Sequence, residues 1–302
     1  MTRPVVVGYT ATTGGADAAA LGSRLAAASG SALHLVVVLP ADERSVITPP
    51  DAGYDRYLRD QASTWLREGE ELLPASVERS SRVRYAESFA EGLIAYADEI
   101  GAAHIVIGAG GGGLRGRHRL GSVAQELLHS SDVPVALAPD GARDVDSAVG
   151  ITRLTAAVGT RPGAEALFEE TIDLATAIGA RVRLLSLVTV DLPASVDTGV
   201  IRVAGAAHAD EVLAEARSAL PVGLEATAIV ARGASIEDAV SHLDWEPGEI
   251  AIVGSSRLAR PRRLFLGSTA AKMLHELPVP MIVVPRTRKK SSKKSKKGGA
   301  RR

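Results

Sequence analysis

The sequence predicts an α/β protein built as two tandem, doubly wound, open parallel sheets. Three observations carry this: an internal duplication, strands alternating with amphipathic helices in each copy, and apolar strands without polar alternation, as in a sheet covered on both faces. The chain has 302 residues, room for two domains of ordinary size. The duplication is clearest from His104 (HIVIGAGGGGLRGRHRLGSVAQELLHSSDVPVALAP) and from Glu249 (EIAIVGSSRLARPRRLFLGSTAAKMLHELPVPMIVVP). Each copy has an apolar strand ending in Gly, a basic loop, Gly-Ser, an amphipathic helix and a Val-Pro-led strand. Gly108 and Gly121 recur as Gly254 and Gly267 at a constant offset of 146, far beyond the ~20–50 residues of solenoid repeats.

In the first copy, Pro4–Gly8 reads as a buried strand, followed by a Gly/Thr loop and a helix over Ala16–Ser29. Leu33–Leu39 (LHLVVVL) is a second strand with the near-continuous apolar run of a doubly covered parallel strand. A helix near Tyr54–Leu73 leads to a strand near Arg82–Ala86, and helix Ala90–Ile100 feeds the strand ending at Gly108. The second copy repeats the order: strand Leu154–Val158, helix Ala164–Ile178, strand Val182–Val188, helix His208–Ala219, strand Thr227–Ala231 and helix Ser235–Leu243. Right-handed crossovers then place helices on both faces of each sheet. The expected units are 1–140 and 151–286, joined by the polar stretch Asp140–Val149, with a disordered Lys/Arg-rich tail over 287–302.

Composition narrows the function classes. At 46% hydrophobic and 23% charged the chain is globular, not fibrous or disordered. No apolar run approaches the ~18–20 residues of a membrane-spanning helix, and Val5-Val6-Val7 is too short for a signal-peptide core. Without cysteine, disulfides, thiolate metal sites and cysteine nucleophiles are excluded. A cytoplasmic protein is expected. The net charge of zero conceals an asymmetry: ten Lys and Arg lie between Arg286 and Arg302, leaving 25 basic against 35 acidic residues before them, a net of −10. The tail KKSSKKSKKGGARR has nothing to bury. It either folds back on the acidic body or makes non-specific, salt-screened contact with polyanions, nucleic acid or anionic lipid headgroups. It has no aromatic residue on which a base could stack.

Gly108, Gly111 and Gly121-Ser122 have the spacing Gly-x2-Gly-x9-Gly-Ser. A phosphate chain needs inward-facing backbone N–H groups, which glycine supplies through positive φ angles. The Gly121-Ser122 pair opens a helix whose free N–H groups and dipole favour an anion. The location, past the carboxyl end of a central strand, is where open α/β sheets bind ligands.

The strand, glycine motif, helix and Val-Pro strand, present twice, resemble the universal stress protein (UspA-like) family over all but the tail. The resemblance implies two five-stranded parallel units of order 3-2-1-4-5, in the adenine-nucleotide alpha-hydrolase-like class. It implies ATP binding, with Mg unproven, in a stress-response regulator that is not an enzyme. It also implies that the last strands, Val133–Pro139 and Val279–Pro285, pair within the chain as a pseudo-dimer, and it allows a homodimer. Carried onto this chain, Gly108 and Gly111 approach ribose and phosphates, Gly121, Ser122 and Val123 hold the phosphates, and Ile107 and Val38 flank the adenine. The family's acidic residue after the first strand is Thr10 here, which keeps a hydrogen bond but not a charge. In the second half Gly254, Gly267 and Ser268 match, while Arg257 stands where the second glycine belongs and no acid follows the first strand. That site is expected to be degenerate, with Arg257, Arg260, Arg262 and Arg263 still able to attract an anion.

Other readings of the same residues exist. Ser122-x-x-Gln125 is also a capping box, which needs no ligand. Gly108–Gly113 matches the dinucleotide pattern GxGxxG, but the helix does not open at the third glycine and the duplicate lacks the pattern. Gly116–Ser122 has Leu120 where a Walker lysine belongs. The seven histidines show no metal-ligand spacing; His34 alternates within a strand, and His129 and His275 sit late in equivalent helices where the dipole suits them. Rival functions are a nucleotide-free interaction scaffold and a weak ATPase, which would need a metal-holding carboxylate absent from Gly108–Gly121.

Overall fold

The computed structural model describes residues 2–41, 52–109, 120–158, 164–189, 199–255 and 266–285. Gly111, the basic loop residues Arg257, Arg260, Arg262 and Arg263, and the tail from Arg286 lie outside them. The first half runs β1 (Val5–Gly8), α1 (Thr13–Ser29), β2 (Leu33–Pro40), α2 (Ala52–Glu71), β3 (Arg79–Ala86), α3 (Phe89–Ile100), β4 (His104–Gly108), α4 (Ser122–Ser130) and β5 (Val135–Ala138). The second runs β6 (Arg153–Ala157), α5 (Ala164–Ile178), β7 (Arg181–Thr189), α6 (Gly199–Ser218), β8 (Ala226–Gly233), α7 (Ile236–Ser241), β9 (Glu249–Gly254), α8 (Ser268–Glu276) and β10 (Met281–Val284). Among the described residues no helix is long and apolar enough to cross a membrane.

Each half has strand order 3-2-1-4-5, all parallel, and the two are joined into one ten-stranded sheet, β3-β2-β1-β4-β5-β10-β9-β6-β7-β8. The join is the antiparallel pair β5–β10, with Met281 opposite Leu137 and Val283 opposite Val135. The last strands of the two halves therefore lie side by side. Because they run in opposite directions, the carboxyl ends of the two halves point to opposite ends of the sheet.

Alternation along the strands feeds two apolar layers. Val5, Val7, Leu33, Leu35 and Val37 face the layer beneath α1, α2, α5 and α6, with Leu21, Leu25, Leu66 and Leu174. Val6, Val36, Val38, Ile105 and Ile107 face the other, with Leu93, Leu127, Met273 and Leu274 from α3, α4 and α8. Full burial of each such side chain contributes about 1.5–3 kcal/mol. Helix ends follow local chemistry: Thr12 Oγ1 accepts from Gly15 N–H at the start of α1, and Gly30, at φ 60°, closes its other end. Ser88 and Gly101 do the same for α3.

The stretch between the halves forms two 3-10 turns, Ala142–Asp144 and Ser147–Val149, which periodicity does not reveal. The first is tied to α1, because buried Asp17 accepts from Arg143 N–H at 2.9 Å, Gly141 N–H at 3.3 Å and the Arg143 guanidinium at 2.8 Å. A second tie joins the halves inside the core, where His104 Nε2 on β4 and Glu170 Oε1 on α5 are 2.9 Å apart.

His34 has a structural role, as its strand position predicts. Its Nδ1 lies 2.8 Å from Tyr96 Oη and 3.0 Å from Ser80 Oγ. Burial first, and then the Arg82 charge, lower its pKa, with Glu78 opposing. The folded state thus keeps this imidazole neutral while the unfolded chain takes up a proton below about pH 6.5. Stability is lost as pH falls through that value, and the loss levels off below the folded pKa. Melting temperature measured from about pH 7 to about pH 5 should fall less steeply for His34→Gln than for wild type. Superimposable profiles would refute this.

Candidate functional site

At the carboxyl end of the first half, the β1–α1 loop, the end of β4 and the start of α4 form the expected site. The loop is tightly wound: Thr10 Oγ1 is 3.0 Å from Thr12 Oγ1, and a Cβ added at Gly15 would lie 1.8 Å from the Thr10 carbonyl oxygen. Gly108 sits against the first turn of α1, where a Cβ would come within 2.2 Å of the Gly14 carbonyl oxygen. Gly108 is therefore needed for backbone contact with α1. It is not among the positive-φ glycines.

Gly121 is the N-cap of α4, at φ −78° and ψ 174°, an extended conformation open to any residue. Positive φ is thus not the reason for glycine at this position, a correction to the expectation from sequence. Gly267 starts α8 in the same way, at φ −72° and ψ 162°, and Gly254 is likewise not a positive-φ position. The capping box is also corrected. Ser122 is the first helical residue, and neither α4 nor α8 has a side-chain cap. By contrast α1, α3 and α7 are capped by Thr12, Ser88 and Ser235. The first N–H groups of α4 have no intrahelical partner, Gly121 and Ser122 are exposed, and among the described residues beyond its chain neighbours no atom lies within 4 Å of a Cβ placed at Gly121. The chemistry of this donor set fits an anion.

Val38 and Ile107 are only 8% and 4% exposed, in the layer under α3 and α4 with partly buried Val123. The second half reproduces the framework: Ser255 N–H donates to the Val284 carbonyl at 2.8 Å as Ala109 N–H donates to Ala138 at 2.8 Å. Gly254, Gly267 and Ser268 form this equivalent place at the other end of the sheet. They do not join the first set.

Sequence reading passed over Thr12, Gly14 and Gly15, although Thr-Thr-Gly-Gly after a strand is a local signal for a tight helix start. It also passed over Glu126, one turn into α4, whose Oε1 accepts from Ser88 Oγ at 2.5 Å. That contact depends on α3 packing beside α4 and has no signal in the sequence. Among the described residues no group of three His, Asp or Glu could hold a metal ion.

Fold and site together define a tandem doubly wound α/β protein with a side-chain-uncapped helix start at the switch point of each half. The universal stress protein family model matches residues 1–139 and again 150–285, and the chain belongs to that family, in its two-domain form. Universal stress proteins of Mycobacterium bovis and Mycobacterium tuberculosis are each 29% identical to it over 295 residues, covering 93% of this chain and 99% of the relative. A universal stress protein structure from Archaeoglobus fulgidus has the same fold, at TM-score 0.62 and 17% identity, covering 94% of this chain and 98% of the other. One from Pseudomonas aeruginosa aligns at TM-score 0.57 and 19% identity, over 94% and 93%.

Proposed function

We propose that this is a cytoplasmic stress-response regulator that binds an adenine nucleotide, ATP or a close relative, chiefly in its N-terminal half, and works by binding rather than catalysis. The observation that carries the reading is the start of α4, which has no side-chain cap and has no other described residue within 4 Å of a Cβ placed at its N-cap Gly121. In this reading the N–H groups of Gly121, Ser122 and Val123 and the Ser122 hydroxyl hold phosphates. Gly108 admits the ribose, and Val38 and Ile107 form the floor on the adenine side. Thr10 contributes a hydroxyl where a carboxylate would have brought charge. A bound nucleotide supplies a dense negative charge, and the segment Gly110–Leu120 linking β4 to α4 is where a partner would read occupancy. The basic tail adds salt-screened attraction to polyanions.

The test sets helix capping against ligand binding. In Gly121→Asp the new carboxylate can cap α4, raising stability by roughly a few tenths of a kcal/mol, yet it occupies and repels the phosphate position. Calorimetry on the full chain is expected to show one ATP site in wild type and none in the variant, which melts no lower. Absence of ATP binding to wild type, or binding unchanged in Gly121→Asp, would sink the reading. Two sites in wild type would assign the start of α8 the same role.

A further inference from the structure

A second concavity lies between the halves, past the end of β5 and before β9 and β10. It has a volume of about 420 Å³, and Pro139, Ala142, Trp245, Pro247 and Val279 supply much of its wall. The wall also includes Arg24 of α1, which is 6% exposed. Arg24 Nε and Nη2 are buried and have no hydrogen-bond partner among the described residues. These two nitrogens share one edge of the guanidinium, and their N–H bonds run parallel, forming the fork that grips a carboxylate with two hydrogen bonds. A buried guanidinium with unmet donors has given up hydration without compensation. Burial lowers its pKa, and no carboxylate opposes that shift.

The acids on the wall are committed to other arginines. Asp140 pairs with Arg143 at 3.5 Å, Glu246 with Arg153 at 2.6 Å and Arg181 at 3.0 Å, and Glu249 with Arg153 and Arg183 at 2.6 Å each. The Asp144 charge acts on Arg143. Arg24 is the one Lys or Arg among the described residues of the wall. A single cation neutralises a single negative charge, and a dianion would set surplus charge beside Asp140 and Asp144. Proline, valine, alanine and tryptophan surfaces favour an apolar body. The volume falls within the roughly 300–1,000 Å³ usual for small-molecule sites.

We propose that this cavity binds a monocarboxylate with an apolar body, its carboxylate held by the Arg24 guanidinium, the one cationic side chain among the described residues of the wall. The site is separate from the bare helix start, since neither Gly108 nor Gly121 lines it and Arg24 lies about 16 Å along α1 from Thr13. Its wall comes from α1, Pro139–Ala142, Asp144 and Val145 on the side of the first half and from residues 245–249 and 278–280 of the second. A ligand here therefore bridges the halves.

The full-length protein is titrated with benzoate and octanoate, with benzyl alcohol and inorganic phosphate as controls, by calorimetry and by following the Trp245 indole N–H resonance. At least one carboxylate is expected to bind one to one and shift Trp245, with benzyl alcohol and phosphate binding more weakly. Arg24→Met should weaken carboxylate binding by about tenfold or more. Arg24→Lys, which keeps charge but not the fork, should fall between. Circular dichroism and melting show whether Arg24→Met is folded; if it is not, Arg24→Lys supplies the comparison, and weakened binding is again expected. The proposal is overturned if neither carboxylate binds wild type, if benzyl alcohol or phosphate binds as tightly, or if the folded variant binds as wild type does.

Discussion

Gly108→Ala is expected to destabilise the protein by about 1–3 kcal/mol, whereas Gly121→Ala, which meets no clash and only puts a poorer capping residue before α4, costs about 0.5–1 kcal/mol. Both glycines belong to one motif, yet their surroundings differ. A Cβ at 108 would lie 2.2 Å from the Gly14 carbonyl oxygen and 2.7 Å from its carbonyl carbon. Those are backbone atoms in the first turn of α1, so relief requires moving the helix or the end of β4. At 121 the Cβ meets no other described residue within 4 Å, on a backbone that any residue adopts. Urea denaturation should show the midpoint of Gly108→Ala displaced with an unchanged slope. Equal midpoints for the two variants would mean that α1 does not pack on β4 as described.

Glu249→Gln should cost more, about 3–5 kcal/mol. Glu249 is fully buried at the start of β9. One oxygen accepts from Arg183 Nη2 at 2.6 Å and from Thr155 Oγ1; the other accepts from Arg153 Nη2 at 2.6 Å and from Glu246 N–H at 3.0 Å. Burial lowers the Arg183 pKa and the Glu249 charge offsets it. The glutamine keeps the shape but leaves two largely buried arginines without their common counter-charge. Adding Arg183→Met should recover part of the loss, since one uncompensated cation is removed, so the double variant is destabilised by less than the sum of the singles. Strict additivity in a chemical-denaturation cycle would refute this coupling.

Much of the fold was legible in the chain. Duplication at 146 residues, apolar runs such as Leu33–Leu39, and Val-Pro before each last strand placed the elements and, through the family resemblance, their order. Helix α5 falls on its expected bounds, α6 begins at Gly199, nine residues before the expected His208, and the other helices differ by a few residues at their ends. The candidate site was legible as a motif but not as a geometry. Ser122 and Gln125 satisfy the spacing of a capping box, yet the chain enters α4 one residue too early for Ser122 to cap it. Gly108 was assigned to the ligand, whereas its immediate constraint is Gly14, distant in sequence and adjacent only after β1 and β4 pair.

The residues most exposed to this limit are the charged ones in the core. Nothing local distinguishes Arg24 from any arginine on a helix, or Glu249 from a strand-opening acid. Arg24 Nε and Nη2 are left without a hydrogen-bond partner among the described residues, and Glu249 gains two arginines, because α1 packs beside the turn after β5 and β9 lies against β6. Periodicity and repetition are local properties, so sequence alone settles the α/β class, the duplication and the strand positions. Which buried charges find partners depends on contacts between residues as far apart as Thr155 and Glu249. Close packing creates those contacts only when distant segments come together, and one polar atom placed a few ångströms differently reverses the energetic balance.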